Sequence, residues 1–165
     1  MTGNGPIIEL TDVCKDLGGQ RVLDGLNLGI EHGETVVIMG RSGAGKSVIL
    51  KHMVGLMSPD SGEVAFDGHL LNALPRRDLQ ELRKRMGMLF QGAALFDSMS
   101  VGGNVSLGLR KHTRLGDDEI EQVVERKLSA VGLANTSAKM PAELSGGMRK
   151  RVGLARAVAM DPEVV

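Results

Sequence analysis

Eight consecutive residues carry the clearest chemistry in this sequence. They fit the pattern G-x-x-x-x-G-K-[ST] and are Gly40, Arg41, Ser42, Gly43, Ala44, Gly45, Lys46 and Ser47. Glycines let such a loop wrap so that successive backbone N–H groups point inward at phosphate oxygens. The lysine supplies a mobile ammonium for the β- and γ-phosphates, and the serine hydroxyl can bind Mg²⁺. The segment therefore predicts a loop that binds the phosphates of a nucleotide.

The elements predicted on either side of this loop are the ones that the chemistry requires. Thr35–Met39 is apolar without alternation, which is typical of a strand covered on both faces in a parallel sheet. A helix predicted from Lys46 to Gly55 directs its positive end at the same phosphates. The loop alone is shared by kinases, GTPases and transport ATPases. A GTPase would be expected to contain an N-K-x-D sequence that recognises guanine, and this sequence has none. A small-molecule kinase is still compatible with the loop alone.

A second stretch, Leu144–Arg151, predicts another anion site about a hundred residues later. Ser145 is a good N-cap for a helix, and Gly146 and Gly147 leave the first amides of that helix uncovered. A helix end with bare amides attracts anions. Between the two stretches, Gln91 follows a short apolar strand predicted over Gly87–Phe90.

Composition limits the class of protein. Lysine plus arginine and aspartate plus glutamate number 20 each, and this balance argues against a nucleic-acid partner. Charged residues are 24% and hydrophobic residues 42% of the 165 residues, as in an ordinary soluble domain. Cys14 stands alone, so no internal disulfide is expected. The apolar stretches are too short to span a bilayer and no signal peptide is visible, which indicates a cytoplasmic domain without direct membrane insertion.

Hydrophobic periodicity and turn signals predict the remaining elements. Strands are expected over Ile7–Val13, Val22–Ile30 and Glu63–Asp67, and the beginning of another over Glu163–Val165. Helices are expected over Asp78–Met86, from Asp117 to a stop at Gly132, and from about Ser145 to Met160. The last two each have apolar residues on one face, namely Ile120, Val123, Val124, Leu128 and Val131 in the first and Met148, Val152, Ala155 and Ala159 in the second. Beyond Gln91 the recognisable elements are mostly helical.

These motifs, in this order, make the sequence resemble the ATP-binding cassette (ABC) family. Gly40–Ser47 matches its Walker A loop, Gln91 its Q-loop, and Leu144–Met148 followed by Gly153–Ala157 its signature helix. The resemblance runs from about Ile7 to the last residue. Phe90–Met99 and Met148 look like the ATPase subunit of Mla/Mkl-type lipid transporters, and an amino-acid importer ATPase is the nearest alternative.

The resemblance implies an α/β fold. It consists of a P-loop NTPase core with a mainly parallel sheet, an N-terminal antiparallel β subdomain and a helical subdomain that carries the signature motif. Residues 1–165 would form one nucleotide-binding domain, incomplete at the C-terminus. The β subdomain and core would span about residues 7–91, and the Q-loop and helical subdomain about residues 92–160.

The resemblance also implies a mechanism with ATP and Mg²⁺. Two ATPase subunits pair head to tail, so that Ser145, Gly146 and Gly147 of one subunit touch the γ-phosphate held by the other. Lys46 and Gln91 would be the catalytic residues, and Ser47 and Gln91 would approach Mg²⁺. The nucleotide site would also include Val48, Leu17 and Val22. The subunit would drive transmembrane permease subunits from the cytoplasmic face of the inner membrane, and the cargo would be a phospholipid.

Three departures from the family pattern modify these expectations. Leu17 stands where an adenine-stacking aromatic residue is common, and Met148 replaces the usual glutamine of the signature. The chain ends at Val165, before the Walker B strand and its general base would follow. The chain alone is therefore expected to bind nucleotide weakly, to hydrolyse it negligibly and to leave apolar surface uncovered.

Overall fold

The computed structural model describes residues 5–165, which divide between Arg83 and Lys84 into two compact units. The first unit contains a four-stranded sheet and two helices, α1 (Lys46–Met53) and α2 (Arg76–Arg83). The second unit is helical and contains α3 (Val101–His112), α4 (Asp117–Ala130) and α5 (Gly146–Ala157). A 3₁₀ turn, Pro141–Glu143, precedes α5. Within the described residues, no helix is both long enough and apolar enough to cross a membrane.

The sheet of the first unit is antiparallel throughout. Its strands are β1 (Ile8–Leu17), β2 (Gln20–Ile30), β3 (Ser61–Phe66) and β4 (His69–Leu70), and their order is β2-β1-β3-β4. Ile8 on β1 lies opposite Ile30 on β2 and Phe66 on β3, which fixes the register of the three long strands. Alternate side chains of β1 and β3 are buried on one face, and α1 packs against these two strands. The predicted N-terminal antiparallel subdomain is confirmed.

The segment Thr35–Met39 does not form the strand that its composition predicts. Its residues have no strand assignment, and Val37 and Met39 expose 71% and 86% of their surface. A strand is stabilised by hydrogen bonds to its neighbours, and none of the strands in residues 5–165 pairs with this segment.

The helices of the second unit pack around one apolar core. Ile120, Val124 and Leu128 on α4 are buried, as the predicted spacing requires. Val152 and Ala155 on α5 are completely buried, and Met148 packs against the same cluster. The apolar faces predicted for these two helices are therefore confirmed.

Helix α3 is a helix that the sequence did not predict. Three glycines lower its helix propensity, and a buried Asn104 interrupts its apolar face. The Asn104 side chain accepts the Phe96 N–H at 2.7 Å and donates to the carbonyl oxygens of Phe96, Met99 and Ser100 at 3.0–3.1 Å. This amide satisfies the backbone of the loop before α3, so the polar residue stabilises the helix start instead of disrupting it.

Helix α2 begins at Arg76, two residues before the predicted start at Asp78, and it ends earlier than predicted because the chain after it becomes extended. The helix ends at Arg83 instead of Met86. Met86 forms a parallel bridge with Val164, and the Gly87 N–H donates to the Val164 carbonyl oxygen at 2.7 Å. This is the beginning of the strand predicted over Glu163–Val165.

Replacing Asn104 with alanine is expected to lower the free energy of unfolding by about 3 kcal/mol, because the Phe96 N–H loses the amide oxygen that accepts it and the carbonyl oxygens of Phe96, Met99 and Ser100 each lose a hydrogen bond. Urea unfolding measures this change. Gln122→Ala removes an exposed amide from α4 and serves as the control. Equal stability of both variants would contradict the structural role of Asn104.

Candidate functional site

The loop Gly40–Ser47 follows Thr35–Met39 and includes the first two residues of α1. Gly43 and Gly45 both have φ of 82°, a left-handed conformation that favours glycine. The Ala44 N–H donates to the Arg41 carbonyl oxygen at 3.2 Å. The Lys46 Nζ donates to the carbonyl oxygens of Gly40 and Arg41 at 2.8 and 2.6 Å, so the ammonium lies across the loop.

The loop packs against strand β2 at Gly45. This glycine is buried, and a Cβ added to it would lie 2.9 Å from Val22 Cγ1 and 3.3 Å from the Val22 carbonyl oxygen. Val22, predicted as a nucleotide-site residue, therefore lies beside the loop. Leu17, predicted for the same role, is the last residue of β1 and exposes 39% of its surface.

The first turn of α1 presents uncovered amides. Gly45 is the N-cap, and no side chain caps this end of the helix. The first N–H groups of a helix have no partner inside it, and they carry the positive end of the helix dipole. Ser47 is exposed in this first turn and Val48 is half-buried. The arrangement suits a group of negatively charged oxygens.

A second helix start lies in the second unit. Ser145 caps α5, since its Oγ accepts the Met148 N–H at 3.2 Å. Gly146 and Gly147 are exposed, and a Cβ added to either would meet nothing within 4 Å. The predicted turn is therefore open to an approaching ligand, whereas Leu144 just before it is buried in the core.

Gln91 also belongs to the second unit, where it is exposed at the start of an irregular segment. The three residues after it, Gly92, Ala93 and Ala94, have φ of 75°, 68° and 46°. We call Gly92–Ala94 the left-handed segment.

Arg156 on α5 is a residue to which the sequence assigned no role. Its Nη2 donates to the Ala93 carbonyl oxygen at 2.6 Å and its Nη1 to the Ala94 carbonyl oxygen at 2.8 Å. Burial lowers the pKa of this guanidinium, although an arginine remains charged at neutral pH. The one signal in the sequence was a charged residue directly beside the apolar position Ala155 and one turn after Val152 on α5.

Comparison with known proteins gives concordant matches. Residues 23–165 match the sequence model described as ABC transporter. The chain is 46% identical over 162 residues to the intermembrane phospholipid transport system ATP-binding protein MlaF of Haemophilus influenzae. It is 42% identical over 161 residues to the probable ribonucleotide transport ATP-binding protein mkl of Mycobacterium leprae. These matches cover 98% of this chain but 61% and 46% of the two relatives, so the chain spans about half to three fifths of their length.

Solved structures give the same result. A dimeric post-hydrolysis state of the ATP-binding cassette MJ0796, bound to ADP and Pi, superposes with a TM-score of 0.87 at 33% identity. The match covers 94% of this chain and 70% of that one. The α/β fold predicted from the sequence, an ATP-binding cassette with an antiparallel N-terminal sheet and a helical part, is thereby confirmed.

Gly45→Ala is expected to destabilise the protein by about 2–3 kcal/mol, since it combines left-handed strain of about 1 kcal/mol with an overlap at Val22. Gly43→Ala is the matched control, because it has the same φ of 82° but open space around the added Cβ. It should cost about 1 kcal/mol. Urea unfolding of both variants separates the cost of left-handed strain from the cost of the overlap with Val22. An equal decrease in the free energy of unfolding for both variants would show that the overlap with Val22 does not destabilise the protein.

Proposed function

The chain belongs to the ABC transporter family, and on that premise we propose that it is the ATP-binding part of a transporter of phospholipids. The observation that carries the proposal is the loop Gly40–Ser47. Its lysine ammonium, its uncovered helix amides and its exposed serine hydroxyl are supplied by adjoining residues at the start of α1. Such a combination suits a triphosphate better than any single charged side chain would.

The loop and α1 form the first half of the proposed site. Lys46 exchanges its bonds to the carbonyl oxygens of Gly40 and Arg41 for bonds to the β- and γ-phosphates. Val22 and Leu17 provide apolar contact for the base in place of an aromatic stack.

Ser47 is the residue of this loop that fits a magnesium ion. Its hydroxyl is exposed in the first turn of α1, and Mg²⁺ is bound in nucleotide sites by few protein oxygens together with substrate phosphates. Among residues 5–165 no group of three or more His, Cys, Asp or Glu side chains could hold a metal by itself. The ion, when bound, neutralises phosphate charge during hydrolysis.

A second copy of the protein supplies the other half. The Ser145 turn is open to solvent and uncovered at Gly146 and Gly147, as a surface that closes over a γ-phosphate must be. The similar MJ0796 cassette is dimeric and bound to ADP and Pi, which supports the pairing of two copies. The head-to-tail arrangement is part of the proposal, because it brings the Ser145 turn of one copy to the nucleotide held by the other. Gln91 is proposed to approach the Mg²⁺ and the attacking water and to transmit the nucleotide state to a permease.

Phospholipid is the proposed cargo because two of the similar relatives, from Haemophilus influenzae and Escherichia coli, are phospholipid transport ATP-binding proteins. The mkl relative from Mycobacterium leprae is named a probable ribonucleotide transport ATP-binding protein; it and the Escherichia coli protein are each 42% identical to this chain, against 46% for the Haemophilus protein. The proposed location is the cytoplasmic face of the inner membrane, beside the permease subunits. The family match does not support the small-molecule kinase alternative.

Lys46→Ala is expected to weaken ATP binding at least about tenfold, since the charge-assisted bonds to the phosphates are lost. Titration of the full-length gene product with a fluorescent ATP analogue measures the affinity. Lys51→Ala removes an exposed lysine from the last turn of the same helix and should leave the affinity unchanged. Wild-type affinity of Lys46→Ala would refute the proposed nucleotide site.

Ser145→Asp and Ser145→Asn test the second half of the site. Both residues cap a helix about as well as serine, so α5 should remain folded. The aspartate adds a negative charge where a phosphate is expected, whereas the asparagine does not. ATP-dependent dimerisation, measured by light scattering, should be lost with Asp and retained with Asn. Equal dimerisation of the two variants would argue against phosphate contact at this turn.

A further inference from the structure

The left-handed segment Gly92–Ala94 is held in a conformation that two of its three residues disfavour. Alanine at positive φ is strained because its Cβ crowds the following carbonyl. Such strain persists only where surrounding structure holds it in place. Ala93 is 1% exposed, and its N–H donates to the Phe90 carbonyl oxygen at 2.9 Å. A further interaction is needed to hold Ala94, which is exposed.

Helix α5 supplies that interaction at two positions. Arg156 donates to the carbonyl oxygens of Ala93 and Ala94, and a planar guanidinium can bind both at once because it has donors on two nitrogens. In an extended strand, neighbouring carbonyls point to opposite sides. Consecutive residues in a helical conformation, whether left-handed or right-handed, turn them the same way, so the conformation of Ala93 and Ala94 is compatible with both bonds.

Gly153 supplies the second contact, one turn before Arg156. It is buried, and a Cβ added to it would lie 2.8 Å from Ala93 Cβ and 2.9 Å from Leu89 Cδ1. Only glycine at this position lets the chain around Ala93 lie directly on the helix. The left-handed segment is therefore packed at Gly153 and hydrogen-bonded at Arg156.

We propose that Arg156 is a positioning residue that fixes the segment after Gln91 to the helix that begins at Ser145. Both proposed nucleotide-contacting groups of the second unit then move together. A force on the Ser145 turn is transmitted along α5, over about 15 Å from Gly146 to Arg156, to the residues next to Gln91. The inference deepens the proposed function and rests on it for the roles of Ser145 and Gln91.

Amide hydrogen exchange without nucleotide tests the positioning role directly. Arg156→Met keeps a long side chain but removes both donors, and it should speed exchange in residues 92–96 about tenfold, while α3 and α4 keep their protection. Arg156→Lys retains one charged donor and should give an intermediate increase. Unchanged exchange in residues 92–96 of Arg156→Met, or an equal increase throughout the second unit, would overturn the proposal.

Arg151→Met is the matched control on the same helix. The Arg151 Nη1 also donates to two carbonyl oxygens, those of Val131 and Gly132 at 3.0 and 3.1 Å, but at the end of α4. Its loss should speed exchange around residues 131–133 and leave residues 92–96 unchanged. Faster exchange of residues 92–96 in this control would show that any arginine lost from α5 loosens the segment, and would overturn the specific role of Arg156.

ATPase measurements on the full-length gene product test the coupling. Arg156→Met should lower kcat at least about fivefold with little change in ATP affinity, because the loop Gly40–Ser47 is untouched, and Arg156→Lys should recover part of the rate. A normal kcat in Arg156→Met would overturn the coupling even if its exchange were faster. A wild-type protein that binds no ATP would instead refute the proposed function, and the exchange result would then decide the positioning role alone.

Discussion

The close approach of Gly45 to Val22 is the constraint on which the proposed phosphate site depends. The buried glycine ends the loop, caps α1 and touches strand β2 in a conformation with φ of 82°. Any side chain at this position would push the loop away from the sheet and move the first amides of α1. Lys46 and Ser47 follow Gly45 immediately. The close packing that glycine allows at position 45 therefore determines where the lysine ammonium, the first amides of α1 and the serine hydroxyl lie.

Both proposed half-sites use the same physical device, a helix start with uncovered amides, but they differ in how the chain supports it. At α1 the support is a glycine packed on a strand. At α5 it is a serine side chain that bonds the Met148 N–H, with two exposed glycines after it. In the proposed site, the first arrangement would surround an anion with a loop, whereas the second, exposed at Gly146 and Gly147, would make contact across an interface. This difference fits one site that holds a nucleotide and another that closes over it.

The second unit contains polar side chains that bond to the backbone next to its apolar core. Asn104 satisfies four backbone groups before α3, and Arg156 bonds two carbonyl oxygens of the left-handed segment. Hydrogen bonds to buried backbone groups are costly to lose, so each fixes one conformation of its loop. These polar residues make the connection between Gln91 and α3 well defined despite its irregular backbone.

The sequence by itself determined the features that depend on neighbouring residues. Three local patterns were predicted: the spacing of glycine, lysine and serine in the loop, the cap of α5, and the apolar repeats of α4 and α5. The family and the α/β fold followed from the order of the motifs. The sequence did not identify α3, because its glycines lower the helix propensity and Asn104 interrupts the apolar pattern. Contacts with the preceding loop stabilise this helix.

Only the tertiary structure decided the pairings between distant residues. Thr35–Met39 has the composition of a buried strand, yet none of the strands in residues 5–165 pairs with it, and a strand is stabilised only where another lies beside it. Gly45 meets Val22, and Arg156 reaches Ala93 and Ala94, across 23 and more than 60 positions of sequence. Such contacts depend on where the folded chain brings each segment, and no spacing within a single element encodes them.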